Sequence, residues 1–156
     1  MTELDPTDRR ILHRLQQDAD LSLEALGEEV GLSRNACWRR VKHLEERGII
    51  TGRVALVDPN QLGLGLTVFI QIRTDSHDAD WLDRFAAAVR ELPEILGVYR
   101  MTGELDYLVR ARVADVASYD RLYQRLVSRI SLSDVSASFV MEEIKETTAI
   151  PVLQRY

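Results

Sequence analysis

The apolar periodicity of this 156-residue chain changes character at one place, the turn-rich stretch Asp58-Pro59-Asn60-Gln61-Leu62-Gly63-Leu64-Gly65. Before it, apolar residues recur mainly at helical spacings; after it, runs of strict alternation take turns with helical runs. The change sets a domain boundary, with a helical module expected over residues 1–60 and a second module over 61–156. The length permits two modules, because a domain needs about fifty residues to bury a core. With 46% hydrophobic and 29% charged residues, the composition is that of an ordinary globular protein.

In the first module, Asp5-Pro6-Thr7-Asp8 reads as a helix start, with Asp5 as cap and Pro6 at the first helical position. The helix runs to about Gln17 and buries Ile11, Leu12 and Leu15. Ser22 opens a shorter helix whose Leu23, Leu26 and Val30 face inward, and Gly31-Leu32-Ser33 makes a tight turn. Ser33 caps a third helix that ends at Gly48 and buries Cys37, Val41 and Leu44. Ile49 to Leu56 reads as a β wing.

The formal net charge is −5, yet between Ser33 and Gly48 the chain carries five basic residues against two acidic ones. An isolated basic stripe is more often a solvated face. Here it lies on the second helix of a helix-turn-helix pair, the helix that enters the major groove of double-stranded DNA. Arg34, Asn35, Trp38 and Arg39, toward its N-terminus, are candidates for base contact and Lys42 and Arg47 for phosphate, with Ser33 at the cap and His43 on the outer face also counted as DNA-binding. Arg53 in the wing adds a backbone contact, and Trp38 suits either stacking at DNA or covering its neighbours.

Beyond the linker, Leu66 to Arg73 alternates as a half-buried strand, and Ala79 to Leu92 is helical with Leu82, Phe85, Val89 and Leu92 inward. Ile95 to Met101 and Asp106 to Val113 read as strands joined by Thr102-Gly103-Glu104-Leu105. A helix over Val116 to Arg129 buries Tyr119, Leu122, Tyr123 and Leu126, and Val135 to Lys145 closes the pattern as a long strand. The order βαββαβ predicts an α+β chain, a winged helix-turn-helix followed by a ferredoxin-like domain. Helices cover one face of such a sheet; apolar residues left on the other face call for a homodimer packed sheet to sheet.

Other function classes lose ground on the same residues. The single cysteine, Cys37, has no disulfide partner, and His13, His43 and His77 show no metal-ligand spacing. No apolar stretch is long enough to span a bilayer and the N-terminus lacks a signal core, so a cytoplasmic protein without membrane attachment is expected. No nucleophile and base pair marks an enzyme.

From Leu4 to about Pro151 the chain resembles the Lrp/AsnC (feast/famine) family of transcription factors. The resemblance rests on Leu4-Asp5 with Asp8-Arg9-Arg10-Ile11-Leu12, Val30-Gly31-Leu32-Ser33, Cys37 with Arg40-Val41, Leu44-Glu45 and Gly48-Ile49-Ile50. In the second module it rests on Thr102-Gly103-Glu104-Leu105-Asp106-Tyr107-Leu108 and Val140-Met141-Glu142-Glu143-Ile144-Lys145. It implies a DNA-binding regulator whose dimers assemble further, often to octamers, and bind a free amino acid between dimers. Thr102, Gly103, Glu104 and Asp106 match the family's ligand loop, with Ser136 and Ser138 lining the pocket. A glycine there lets backbone N–H groups approach an α-carboxylate, while Asp106 or Glu104 faces an α-ammonium group. Trp38, residues 54–59 and residues 132–139 are similar to the family's cysteine-responsive members, and Cys, Leu and Met all stand as ligands. Two other readings remain: an architectural DNA-packing protein without an effector, and an enzyme like the siroheme decarboxylases, which share this organisation.

Overall fold

The computed structural model describes residues 4–76 and 78–153; His77 lies outside them. The chain forms two compact units, one of residues 1–56 with 145–156, the other of residues 57–144. The sequence reading assigned the last residues to the second module, whereas in the structure the segment after Ile144 belongs with the helices.

The helical unit holds α1 (Pro6–Gln17), α2 (Leu23–Val30) and α3 (Arg34–Glu46). Each begins at a side-chain cap that satisfies an otherwise unpaired N–H: Asp5 accepts from Asp8, Ser22 from Ala25 and Ser33 from Ala36. Gly31 ends α2 at φ +74°, a backbone state that costs other residues strain. Ile11, Leu26, Val30, Cys37 and Leu44 are almost wholly buried where the three helices meet, with Leu15, Ile49 and Val152 packed against them. Gly27 makes the turn tight: a Cβ there would lie 2.7 Å from the Leu32 carbonyl oxygen.

The expected wing is absent as a strand. Residues 51–58 form no ladder, and Val54, Leu56 and Val57 are exposed. A strand needs a partner for its N–H and C=O groups, and this stretch pairs with none among the described residues.

The second unit is a four-stranded antiparallel sheet in the order β2-β3-β1-β4 carrying two helices. Its elements are β1 (Leu66–Arg73), α4 (Ala79–Arg90), β2 (Ile95–Arg100), β3 (Tyr107–Val113), α5 (Val116–Val127) and β4 (Asp134–Phe139). This is the ferredoxin-like order expected from βαββαβ. Val68, Ile70 and Ile72 of β1 and Tyr107, Val109, Ala111 and Val113 of β3 are buried with Phe85, Leu122 and Leu126 of the helices. On α4 the inward residue is Trp81 rather than Leu82; Trp81 stacks on Phe85 at 5.1 Å between ring centroids and donates its indole N–H to the Ser131 carbonyl. The last strand is shorter than expected: it stops at Phe139, and Met141 and Ile144 stand in solvent. The sheet's other face is mixed, with Phe69 and Leu108 half-buried beside Gln71, Arg110 and Arg112. Among the described residues no helix is long and apolar enough to cross a membrane.

Candidate DNA interface and effector loop

The packing of Cys37, Val41 and Leu44 inward fixes which side of α3 faces solvent. Arg34, Asn35, Trp38, Arg39, Lys42 and His43 lie on the exposed side, with Ser33 at the capped N-terminus. Arg34 pairs with Glu24 at 2.7 Å, an exposed pair of small energy that exchanges readily for another anion. Lys42 Nζ sits 5.2 Å from the centre of the Trp38 ring and 3.8 Å from Glu46. Arg39 is exposed and makes no ion pair among the described residues. Arg47, at the helix end, is half-buried. Arg53 is held back against α3 by Glu45 at 2.8 Å rather than projecting on a wing. Trp38 is 49% exposed and walls a cleft of about 520 Å³ with Leu15, Leu21 and Leu23, so its ring covers apolar neighbours.

Arg40 turns the other way. Its Nη1 lies 2.5 Å from Asp5 Oδ2 and 2.8 Å from Asp8 Oδ1, tying α3 to the start of α1. The Asp8 backbone N–H and then the Arg40 guanidinium hold the Asp5 carboxyl below the ordinary carboxylate range. The two carboxylates push Arg40 higher still. Sequence reading saw Arg40 only as part of the basic stripe; the acidic pair around Pro6 was the available signal.

In the sheet unit, the connection between β2 and β3 turns at Gly103, whose φ of +103° is open to glycine and strained for other residues. Thr102, Gly103 and Glu104 are exposed, and Glu104 approaches Arg73 at 3.5 Å. Asp106 is built into the frame: its N–H donates to Ile72 O at 3.1 Å, its carbonyl accepts from Met101 N at 2.9 Å, and its Oδ2 accepts from Thr74 N at 2.8 Å. These bonds present the loop at the end of the sheet where β1 finishes. Thr74 is the residue sequence reading missed; only the antiparallel register reveals it. Ser136 and Ser138 lie opposite Gln71 and Phe69 on β4, with β1 between them and β3. At about 4.8 Å per strand, that leaves them roughly 10 Å from the hairpin side. A single chain therefore brings Thr102, Gly103, Glu104 and Asp106 together and leaves Ser136 and Ser138 apart. Among the described residues no group of three metal-ligating side chains occurs.

Comparison with known proteins bears on both regions. Residues 4–45 match the AsnC-type helix-turn-helix domain, and residues 67–150 match the Lrp/AsnC ligand binding domain. The chain is 53% identical over 150 residues to the DNA-binding transcriptional activator DecR of Escherichia coli strain K12, covering 96% of this chain and 99% of DecR. Its fold superposes with a TM-score of 0.93 on an AsnC family transcriptional regulator from Agrobacterium tumefaciens, at 48% identity over 96% of this chain and 97% of that one. It also superposes, with a TM-score of 0.91 and 39% identity over the same shares, on a Neisseria meningitidis transcriptional regulator solved in complex with L-Met.

Proposed function

Since the chain belongs to the Lrp/AsnC family of DNA-binding transcriptional regulators, with that family's amino-acid-binding domain, we propose a division of labour between its two units. α3 lies in the major groove. Arg34, Asn35 and Arg39 reach base edges, Trp38 lies against them, and Ser33, Lys42, His43, Arg47 and Arg53 hold the phosphates. The observation that carries this reading is the outer face of α3: a capped helix, backed by Cys37, Val41 and Leu44, that turns Asn35 and Arg39 to solvent.

In the sheet unit, a free amino acid sits on the loop Thr102-Gly103-Glu104. Backbone N–H groups receive its α-carboxylate, and Glu104 or Asp106 receives its α-ammonium. The exposed loop covers a ligand from one side only, which supports a site completed by a second dimer, with Ser136 and Ser138 lining it from a facing sheet. Dimers then assemble further, to an octamer. Cys, Leu and Met are the ligands to test first; the L-Met complex of the Neisseria relative supports an apolar or sulfur-bearing side chain. The protein acts in the cytoplasm by binding rather than catalysis.

Calorimetric titration with Cys, Leu and Met, paired with DNA-binding curves with and without each, tests the proposal. One of them should bind and shift DNA affinity by about 5- to 150-fold, the usual span of such coupling. If no free amino acid binds, the effector reading falls and an architectural role in DNA packing takes its place.

A further inference from the structure

The segment after β4 is pinned at two places. On the sheet unit, Glu143 Oε1 accepts from Thr67 Oγ1 at 2.9 Å and from Arg112 Nη2 at 2.6 Å, and Val140 N donates to Thr67 O at 3.0 Å. On the helical unit, the Gln16 side-chain amide pairs reciprocally with the backbone of Ile150: Nε2 donates to its carbonyl at 3.0 Å, and Oε1 accepts from its N–H at 2.7 Å. Arg9 Nη1 donates to Val152 O at 2.8 Å, and the Val152 side chain packs on the helical core. Residues 144–149, between the two pins, are all exposed.

A segment outside helices and strands is usually loose, because ordering it costs backbone entropy in every residue. This one is held by a side-chain amide whose donor and acceptor are both used, by a guanidinium and by a half-buried apolar residue. Simple proximity does not produce that set of contacts. The helical unit is thus joined to the sheet unit twice along the chain, once through the linker that precedes β1 and again through the segment that follows β4.

We propose that residues 144–153 are a return strap that limits how far the DNA-binding unit strays from the sheet unit of its own chain. The proposal rests on the DNA-binding reading above. Seven residue steps separate Glu143 from Ile150, so with both pins closed their Cα atoms stay within roughly 25 Å. A dimer binds two half-sites about one helical turn apart only when both recognition helices sit at that spacing. A strap that narrows the space each helix searches raises the effective concentration of the second helix once the first has bound. It contributes nothing to a lone half-site.

The test uses full-length protein and DNA selected by the wild-type protein from a random pool, prepared as duplexes with one or two half-sites. Gln16→Ala removes the amide pair while keeping a good helix residue, and Ile150→Pro removes the donor without touching α1. Both should weaken binding to the two-half-site duplex about tenfold and to the single half-site less than twofold. Glu143→Ala, which removes the side-chain acceptor at the other pin, should do the same. Unchanged binding to both duplexes overturns the strap, and so does an equal loss on both, which marks damage to the helical unit itself. Hydrogen exchange decides the point without DNA: the Ile150 amide, which donates to Gln16 Oε1, should be protected in the wild type and unprotected in Gln16→Ala, and an unprotected wild-type amide overturns the proposal. If the wild type selects no DNA at all, it is the DNA-binding reading that fails, while the exchange measurement still reports on the strap.

Discussion

Arg39 stands in solvent on α3, whereas the next residue, Arg40, turns inward to Asp5 and Asp8. Adjacent positions on a helix differ by about 100° in direction, so one arginine stays in solvent and the other is spent on the fold. Arg39→Ala should weaken operator binding and relax base preference, at a cost of about 1–3 kcal/mol for a lost bidentate contact. Lys42→Ala should weaken binding more evenly across sequences and flatten its salt dependence. Gel-shift titrations on operator and random DNA at several salt concentrations check both, and unchanged affinity in the two variants would remove α3 from the interface. The Asp5 and Arg40 pair makes a separate prediction. Because the Asp5 carboxyl is held low in the folded state, its contribution is complete above the unfolded value, near about pH 4, and fades as pH falls through the lower folded value. Asp5→Asn keeps a capping oxygen but loses the charge, and should cost about 0.5–1 kcal/mol at neutral pH. Thermal melts should show that difference shrinking as pH falls below the unfolded value and vanishing once the folded carboxyl is protonated as well.

At the scale of elements, the helix starts, the inward stripe of α3 and the strand alternation of β1 and β3 were all legible, because caps and periodicity are local signals. Three errors share one cause. The wing, the far half of the last strand and the inward face of α4 depend on what lies opposite. Residues 51–58 have no strand partner among the described residues, the pairing of β4 with β1 ends where Phe139 faces Val68, and Trp81 is buried where Leu82 is not, while finding a carbonyl for its N–H. Gly27 has no Cβ to block the Leu32 carbonyl and so allows Leu32 to close the turn between α2 and α3. Gly27→Ala should lower stability by about 1–2 kcal/mol, since the clash with a backbone oxygen outweighs the gain in helix propensity. A melting temperature at or above that of the wild type would contradict the turn geometry. In the hairpin, Asp106→Ala should abolish the amino-acid response while leaving effector-free DNA binding largely intact, as read by calorimetry and DNA titration together. Unchanged ligand affinity in that variant would sink the proposed pocket. The family resemblance pointed to this loop, but the bond from Thr74 to Asp106 joins residues 32 positions apart and had no local sign.

For the whole molecule, the exposed Val54, Leu56, Met141 and Ile144 are more apolar surface than a lone chain usually leaves open along its connecting segments. Light scattering at micromolar concentration should give a dimer or larger, and Leu56→Asp with Met141→Asp should shift the mass toward monomer; an unchanged mass would mean that these residues are not in the interface. The sequence reading placed the apolar call for a partner on the open sheet face. That face proves mixed, with Arg110 and Arg112 among Phe69 and Leu108, and the fully exposed apolar residues lie on the segments that flank the sheet. By itself the sequence determined the order of the helices and of the four sheet strands, since caps, turn residues and spacings are signals carried within a few positions. Tertiary structure decided the sheet order, the inward turn of Arg40, the anchoring of Asp106 and the return of residues 145–153 to α1. Those depend on contacts between residues as much as 143 positions apart, whose energies are realised only once the intervening chain has folded.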